Sequence, residues 1–202
     1  GNYTYLITDN NGCINQGQAT IYEPAGMEMT IDTFRVTCFG GNDGSAVLNI
    51  IGGAGGTYNI NWGGLNPNAL PAGNHIITVI DSNNCSITDT VIITQPSDIT
   101  IIPLTNHVSC NGNADGNTTL QISGGIYPYS ETWFGINPSS LAPGTYPYLI
   151  IDANNCTKDG IITIYEPDIL AATATILDVD CYGENDGSAD LNITGGTAPY
   201  DV

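Results

Sequence analysis

Six cysteines carry the most reactive chemistry in this 202-residue chain, and they fall into two motifs. The motif Cys-x-Gly-x-x-Asp-Gly begins at Cys38, Cys110 and Cys181, and the motif Asp-x-Asn-x-Cys ends at Cys13, Cys85 and Cys156. In both series the cysteines are 72 and then 71 residues apart. Two independent motifs with one period indicate tandem copies of a single folding unit.

The wide spacing of the cysteines decides between their possible roles. A structural zinc site uses pairs of cysteines only a few residues apart, whereas these are separated by tens of residues. Regularly placed cysteines in a glycine-rich, β-rich chain indicate disulfides and therefore an oxidising, extracellular environment.

Each copy of the unit ends on an apolar segment that is followed by a proline, at Pro24, Pro96 and Pro167. Proline has no N–H for a sheet and marks the end of a strand. The predicted divisions are the C-terminal part of a repeat at 1–24, complete repeats at 25–96 and 97–167, and the N-terminal part of a repeat at 168–202. We therefore expect the sequence to be a window on a longer array.

The elements between these landmarks read as strands. Apolar residues alternate with others over 46–50 and again over 118–122, and each run is followed by a Gly-Gly turn. A short aromatic segment follows, ending at Trp62 or Trp133, and the Asp-x-Asn turn precedes the last strand. No segment of the chain shows the apolar spacing that is typical of an α-helix. The sequence predicts an all-β fold of tandem immunoglobulin-like antiparallel β-sandwiches, with six or seven strands and a tryptophan on the third.

The charge of the chain limits its partners. It carries 20 acidic residues against two basic ones, Arg35 and Lys158, for a net charge of −18. Nucleic acid and anionic lipid need a basic surface, so we expect neither as a partner. The apolar runs have only the length of strands, so we expect no membrane insertion.

No constellation of residues indicates catalysis. His75 takes the place that Tyr146 has in the next copy, and His107 takes that of Arg35, so neither histidine belongs to a shared site. The nucleophile, zinc-protease and phosphate-loop motifs are absent. The sequence predicts a protein that is not an enzyme.

The aspartates allow two interpretations. Fifteen of the 20 acidic residues are Asp, and most of those in loops fit turn chemistry, because Asp accepts hydrogen bonds from its own backbone. The alternative is calcium, which prefers carboxylate and carbonyl oxygens. If the strands of a unit are odd in number, Asp43 of one unit faces Asp152 and Asn154 of the next, and a shared Ca²⁺ would bind there.

The same polarity argument applies to the cysteines. With an odd strand number, Cys38 and Cys85 lie at opposite ends of one unit, roughly 25 Å apart, whereas a disulfide needs Cα atoms within about 7 Å. Cys38 would then pair with Cys156 of the following unit. With an even number, the pair would be Cys38 and Cys85.

These landmarks together resemble the SprB repeat family of Bacteroidetes surface proteins, and the repeat at 97–167 resembles it most fully. The matching residues are Cys110, Asp115, Gly116, Gly124, Gly125, Pro128, Tyr129, Trp133, Leu141, Gly144, Tyr146, Asp152, Asn154 and Cys156. His75 departs from the pattern where tyrosine is usual, which puts a tyrosine corner in doubt for that repeat. The resemblance implies large adhesins exported by the type 9 secretion system to the cell surface, some of them acting in gliding motility. It implies no catalytic residues.

Two functions fit this sequence. The first is a stalk of repeats that contact mainly their neighbours and advance on the order of 35–45 Å per unit as a rod. The second is a repeated module that binds polysaccharide or another surface through exposed aromatics such as Phe39. One modification site is also predicted, because Asp89-Thr90-Val91 is similar to the O-glycosylation acceptor of these bacteria.

Overall fold

The computed structural model describes all 202 residues, and it confirms the all-β prediction with fourteen strands and no helix. Accordingly, it contains no helix with the length and hydropathy of a membrane span. The chain divides into two compact units, residues Gly1–Gln95 and Pro96–Val202.

The first unit contains a hairpin and a five-stranded domain. Its strands are β1 (Asn2–Thr8), β2 (Ile14–Thr20), β3 (Glu28–Phe34), β4 (Ser45–Ile51), β5 (Asn59–Asn61), β6 (Gly73–Ile80) and β7 (Ser86–Ile93). All pairings are antiparallel: β1 with β2, β3 with β4, and β5-β6-β7 in a three-stranded sheet.

The second unit contains the same five-stranded domain followed by a hairpin. Its strands are β8 (Thr100–Asn106), β9 (Asn117–Ser123), β10 (Ser130–Thr132), β11 (Gly144–Ile151), β12 (Thr157–Ile164), β13 (Ala171–Leu177) and β14 (Ser188–Thr194). Here β8 pairs with β9, β10-β11-β12 form the three-stranded sheet, and β13 pairs with β14.

Each complete domain has five strands, so the prediction of six or seven is wrong. The difference arises between β5 and β6, where the sequence over 63–72 is rich in Gly, Asn and Pro and forms turns. Such residues favour positive φ and remove backbone donors, which prevents a further ladder. The segment bonds across through an isolated bridge between Leu70 and Gly44, and through the Pro67 carbonyl, which accepts from the Ala46 amide at 3.0 Å. Five is nevertheless odd, as the polarity argument required.

Period-two burial builds one core per domain. Along β6, His75, Ile77 and Val79 are buried while the residues between them face outward. In the second domain β11 and β12 contribute Ile150 and Ile164, which are almost fully buried. The two sheets of each domain pack their apolar faces against this one core.

Each complete domain receives the chain at one end and releases it at the other. At the first end, the Gly53 amide donates to the carbonyl of Ala25 at 2.7 Å, before β3 begins. At the opposite end, the Val36 amide donates to the carbonyl of Thr94 at 2.9 Å, after β7 has ended. We call these the upstream end and the downstream end. The first and last strands therefore run parallel, from the upstream to the downstream end.

Candidate functional site: the two ends of each domain

The upstream end is organised by the aspartate of the Asp-x-Asn-x-Cys motif. Asp152 Oδ1 accepts from the amides of Asn154 and Cys156, both at 2.8 Å. Its Oδ2 accepts from the amide of Ile126 at 2.9 Å. The turn also needs Asn155 at φ 63°, a conformation that asparagine tolerates better than most residues. Asp152 thus fixes its own turn and attaches it to the loop after β9.

The same arrangement occurs in the first unit. Asp81 Oδ1 accepts from the amides of Asn83 and Cys85, both at 2.9 Å, and Oδ2 accepts from the amide of Ala54 at 3.0 Å. In the hairpin β1–β2, Asp9 closes the turn that ends at Cys13. Three copies of one motif therefore use the carboxylate for one structural task.

Hydrogen bonding stabilises the charged form of these carboxylates. The amide of Ala54, with those of Cys85 and Asn83, holds the pKa of Asp81 below its ordinary value. Burial raises the pKa of Asp152, but the amides of Ile126, Cys156 and Asn154 together outweigh burial and leave its pKa lowered.

The downstream end is organised by the aspartate of the other motif. Asp43 Oδ1 accepts from the Thr37 amide at 2.9 Å. Asp115 accepts from the amide of Ser109 at 3.0 Å and from its hydroxyl at 2.5 Å. Hydrogen bonds from the side chain and the amide of residue 37 or 109 lower the pKa of Asp43 and of Asp115.

Sequence reasoning missed the residue that ties this loop to the last strand. The amide of Gly40 donates to Gln95 Oε1 at 2.8 Å, and the amide of Gly112 donates to Glu166 Oε2 at 2.9 Å. Both acceptors directly precede the closing proline. The sequence pattern that could have identified this residue is a Glu or Gln before the closing proline in every copy, including Glu23.

The predicted calcium ligands already serve other purposes. Asp43 and Asp152 use their carboxylate oxygens to close their own loops, and the Asn154 amide is a donor to Asp152. No group of three or more His, Cys, Asp or Glu side chains lies close enough together to hold a metal ion. Calcium binding stays a prediction.

The cysteines fall into two chemical states. Cys38 is disulfide-bonded, and so is Cys156. The remaining four are free and exposed: Cys13, Cys85, Cys110 and Cys181. Because Cys85 is free and lies at the upstream end of the domain whose downstream end carries Cys38, the alternative pairing of Cys38 with Cys85 is excluded.

Both complete domains contain the hydrogen bond of a tyrosine corner, although the first domain has histidine in place of tyrosine. The Tyr146 hydroxyl donates to the carbonyl of Ala142, four residues upstream, at 2.8 Å. His75 occupies the equivalent position, and its Nε2 lies 2.8 Å from the carbonyl of Pro71. A carbonyl oxygen only accepts, so Nε2 carries the proton and His75 replaces the tyrosine hydroxyl. This histidine is a structural residue.

The candidate modification site lies on an open strand. Thr90 is exposed on β7, and its amide donates to Asp89 Oδ1 at 2.7 Å. The hydroxyl is accessible to a transferase, but glycosylation of Thr90 stays a prediction.

Comparison with known proteins agrees with these repeated landmarks. The family model described as "SprB repeat" matches residues 32–66 and 173–201. These segments are SprB repeats. Both cover the same part of the folding unit, from the first strand through the Asp-Gly loop and the second strand. The chain matches no curated protein and no solved structure.

SprB repeats are structural repeat modules that occur in cell-surface or secreted proteins, and the family is not an enzymatic one. This chain is therefore a repeat segment of a protein of the adhesin type. The hydrogen-bonded loops are consistent with a structural module, because the aspartates and other polar residues at the ends of each domain hold these loops in place.

Proposed function

We propose that this chain is a spacer segment in the stalk of a large secreted adhesin, where it holds an adhesive region away from the cell and serves surface adhesion and gliding motility. The observation that supports the proposal best is the polarity of the domain. The chain enters at the upstream end and leaves at the downstream end, so every added repeat extends the reach of the array.

The arrangement of the first and last strands suits a domain under tension. Because β3 and β7 run parallel, opposite pulls on the two chain ends slide one strand along the other. The bond between the Val36 amide and the Thr94 carbonyl is then loaded along the strands, as is the bond between Val108 and Tyr165 in the second domain. Forced unfolding depends on the unfolding rate, and a bond loaded in this direction must break before the strands can slide apart, which lowers that rate.

The linkers support the same function. The side chain of Gln95 is held by the downstream loop of its own domain, and Asn111 Nδ2 donates to the carbonyl of Pro167 at 3.0 Å. The next residue in each linker is a proline, whose ring fixes its own φ. The linkers are therefore short and restrained, which favours the rod that sequence analysis predicts.

We further propose that Cys38 and Cys156 pair with each other, so that a covalent bond joins consecutive repeats. Two facts support this pairing: both residues are disulfide-bonded, and partners for Cys38 within its own domain are excluded by polarity. Such a bond limits the separation of neighbouring repeats under load.

A binding module is the second candidate function, and it is favoured by exposed aromatics in the downstream loop. Phe39 and Tyr182 are both exposed directly after a motif cysteine, where they could stack on sugar rings. Asn111 holds that place in the other copy, however, so the chain does not repeat an aromatic site. The spacer remains the better proposal.

Two measurements on the full chain separate these functions. Small-angle scattering of the monomer should give an elongated particle, with an advance on the order of 35–45 Å per repeat. A glycan array should give no binding. A compact particle would contradict the spacer, and binding to a glycan that Phe39→Ala and Tyr182→Ala abolish would favour the module.

A further inference from the structure

Strand β4 of the first complete domain is bonded along one edge and only partly along the other. The first edge pairs with β3 over all seven residues of the strand. On the second edge, Gly44 exchanges two hydrogen bonds with Leu70, at 3.0 and 2.7 Å, and the Ala46 amide donates to the carbonyl of Pro67 at 3.0 Å. The 63–72 segment therefore covers only the beginning of this second edge.

The rest of the second edge is open at Leu48 and Ile50. Backbone groups of every second residue point to the same edge of a strand, and the Ala46 amide points away from β3, so those of Leu48 and Ile50 do too. No main-chain group of the protein bonds to them on this side. Two donors and two acceptors in a row thus form a template for a further strand.

β4 also lacks the features by which proteins usually protect an open edge. It is seven residues long and contains no charged residue and no proline, although the chain carries 20 acidic residues. The outer strand of the other sheet, β5, is protected by its length of only three residues. An unprotected edge in so acidic a protein indicates that the edge receives a strand.

A second copy of β4 fits this edge. In an antiparallel ladder, Leu48 of one copy pairs with Ile50 of the second copy, and Ile50 with Leu48. These two pairs join all the open donors and acceptors of both strands in four hydrogen bonds and leave none without a partner. The arrangement has two-fold symmetry, so it closes as a dimer.

The outward side chains of β4 match in the same register. Val47 lies opposite Ile51 of the second copy on both sides of the axis, and Asn49 lies opposite its own counterpart. Val47 is 56 % exposed and Ile51 is 55 % exposed, so pairing buries apolar surface that is open in the monomer. Because backbone hydrogen bonds largely replace bonds to water, these apolar pairs supply the driving force.

Like charges on the neighbouring strand lie too far apart to oppose this pairing strongly. The acidic residues of β3 on this face are Asp32, opposite Val47, and Glu28, opposite Ile51. Across the pair, Asp32 of one copy and Glu28 of the second copy are three strand spacings apart, about 14 Å. This distance exceeds the screening length of about 8 Å at physiological ionic strength.

The second complete domain has the same open backbone groups without the apolar pairs. Leu120 and Ile122 of β9 have no main-chain partner on the free edge. Their outward neighbours are the polar residues Thr119, Gln121 and Ser123. That edge offers hydrogen bonds alone, so β4 is the stronger edge for association.

We propose that two copies of this chain associate through the open edges of β4, in an antiparallel ladder centred on Asn49. The result is a continuous four-stranded sheet in the order β3-β4-β4-β3. One strand from each copy makes the contact, so its area is below that of a standard interface and the association is weak. This function goes beyond that of a spacer, because it joins chains side by side.

The test is sedimentation of the full chain at increasing concentration, after alkylation of the free thiols so that no intermolecular disulfide forms. We expect a reversible equilibrium of monomer and dimer. Asn49→Asp places two carboxylates face to face at the centre of the ladder and should weaken association about fivefold. The matched control is Gln121→Asp, at the equivalent position of β9, which should associate as the wild type does.

A mixture of two variants tests the symmetry of the contact. Asn49→Lys should also weaken association by itself, because two ammonium groups then face each other. Mixed with Asn49→Asp, it should form heterodimers and restore association, since the centre of the ladder then holds opposite charges.

Amide hydrogen exchange, followed by NMR, locates the contact. The amides of Leu48 and Ile50 should exchange more slowly where the dimer forms than in the dilute monomer, whereas those of Leu120 and Ile122 should not change.

Three outcomes would overturn the proposal: a wild type that stays monomeric up to about 1 mM, an Asn49→Asp variant that associates like the wild type, or protection from exchange outside β4. None of them affects the spacer function, which scattering of the monomer tests separately.

Discussion

At the scale of the residue, one carboxylate fixes a loop at each end of a domain. Asp152 is the clearest case, because three amides from two loops converge on it and it is 4 % exposed. The functional alternative, a calcium ligand, uses the same oxygens. The structure gives those oxygens to the backbone, which is why the turn interpretation of these aspartates is the stronger one.

Replacing Asp152 tests this role. Asp152→Ala leaves the amides of Ile126, Asn154 and Cys156 without their acceptor, and unsatisfied donors of this kind cost about 1–3 kcal/mol. We expect the second domain to melt at a lower temperature while the first is unchanged, as measured by calorimetry. Asp159→Ala, on an exposed position of β12, is the control and should have little effect. If the second domain melts at the same temperature in both variants, the carboxylate of Asp152 does not stabilise the fold.

The lowered pKa values predict how stability depends on pH. The pKa of Asp81 and that of Asp152 are lower in the folded protein than the ordinary value of 3.8, so the unfolded chain binds protons first as the pH falls. The contribution of these carboxylates is therefore complete well above 3.8 and is lost as the pH falls through the folded pKa values. We expect a nearly constant melting temperature from pH 7 to about 5 and a decline below about 4. Asp152→Asn should decline less steeply for the second domain, and an unchanged slope would contradict the assignment.

At the scale of the element, glycines after the second strand allow the incoming chain to cross close to that strand. Gly124 has φ 78°, and a Cβ there would collide with the carbonyl of Asp98, just before β8. A Cβ at Gly52 or Gly195 would collide in the same way with a backbone carbonyl just before the first strand of its own repeat. The Gly-Gly turn that the sequence marks as the end of a strand is therefore also the place where the incoming chain crosses it.

A pair of substitutions separates these two requirements. Gly124→Ala introduces both a strained φ and a collision with backbone, so it should destabilise the second domain strongly. Gly135→Ala introduces only the strain, since φ is 85° and nothing lies within 4 Å of the new Cβ. We expect the larger loss of denaturation midpoint for Gly124→Ala. If the two variants lose the same amount, the crossing is looser than the structure indicates.

At the scale of the whole molecule, function depends on how repeats follow one another. The proposed bond between Cys38 and Cys156 predicts one crosslinked peptide pair in a non-reducing digest of the full chain. Cys38→Ser should free Cys156 for alkylation, and Cys85→Ser should leave the crosslink intact. A peptide that joins Cys38 to any other cysteine would refute the pairing.

Calcium is the other whole-molecule prediction, because the predicted site draws Asp43 from one repeat and Asp152 with Asn154 from the next. A shared cation would offset the repulsion expected in a chain of net charge −18. We expect the melting temperature to rise with added Ca²⁺ and to return after a chelator, with Mg²⁺ as the control. Equal melting with and without chelator would retire this site.

Much of this could be read from the sequence because it depends on local chemistry that repeats. The period, the β class and the turns closed by Asp9, Asp81 and Asp152 all follow from patterns within a few residues of one another. The tandem copies made those patterns visible, since chance does not repeat at a fixed step.

Only the tertiary structure decided which residues meet across the domain. It set the strand number at five, because the turn-rich 63–72 segment forms no ladder where periodicity alone allowed one. It also showed that Gln95 and Glu166 hold the downstream loop, and that His75 makes the bond expected of a tyrosine. These contacts join residues on different elements, and their partners are fixed by how the sheets pack rather than by neighbours in the chain.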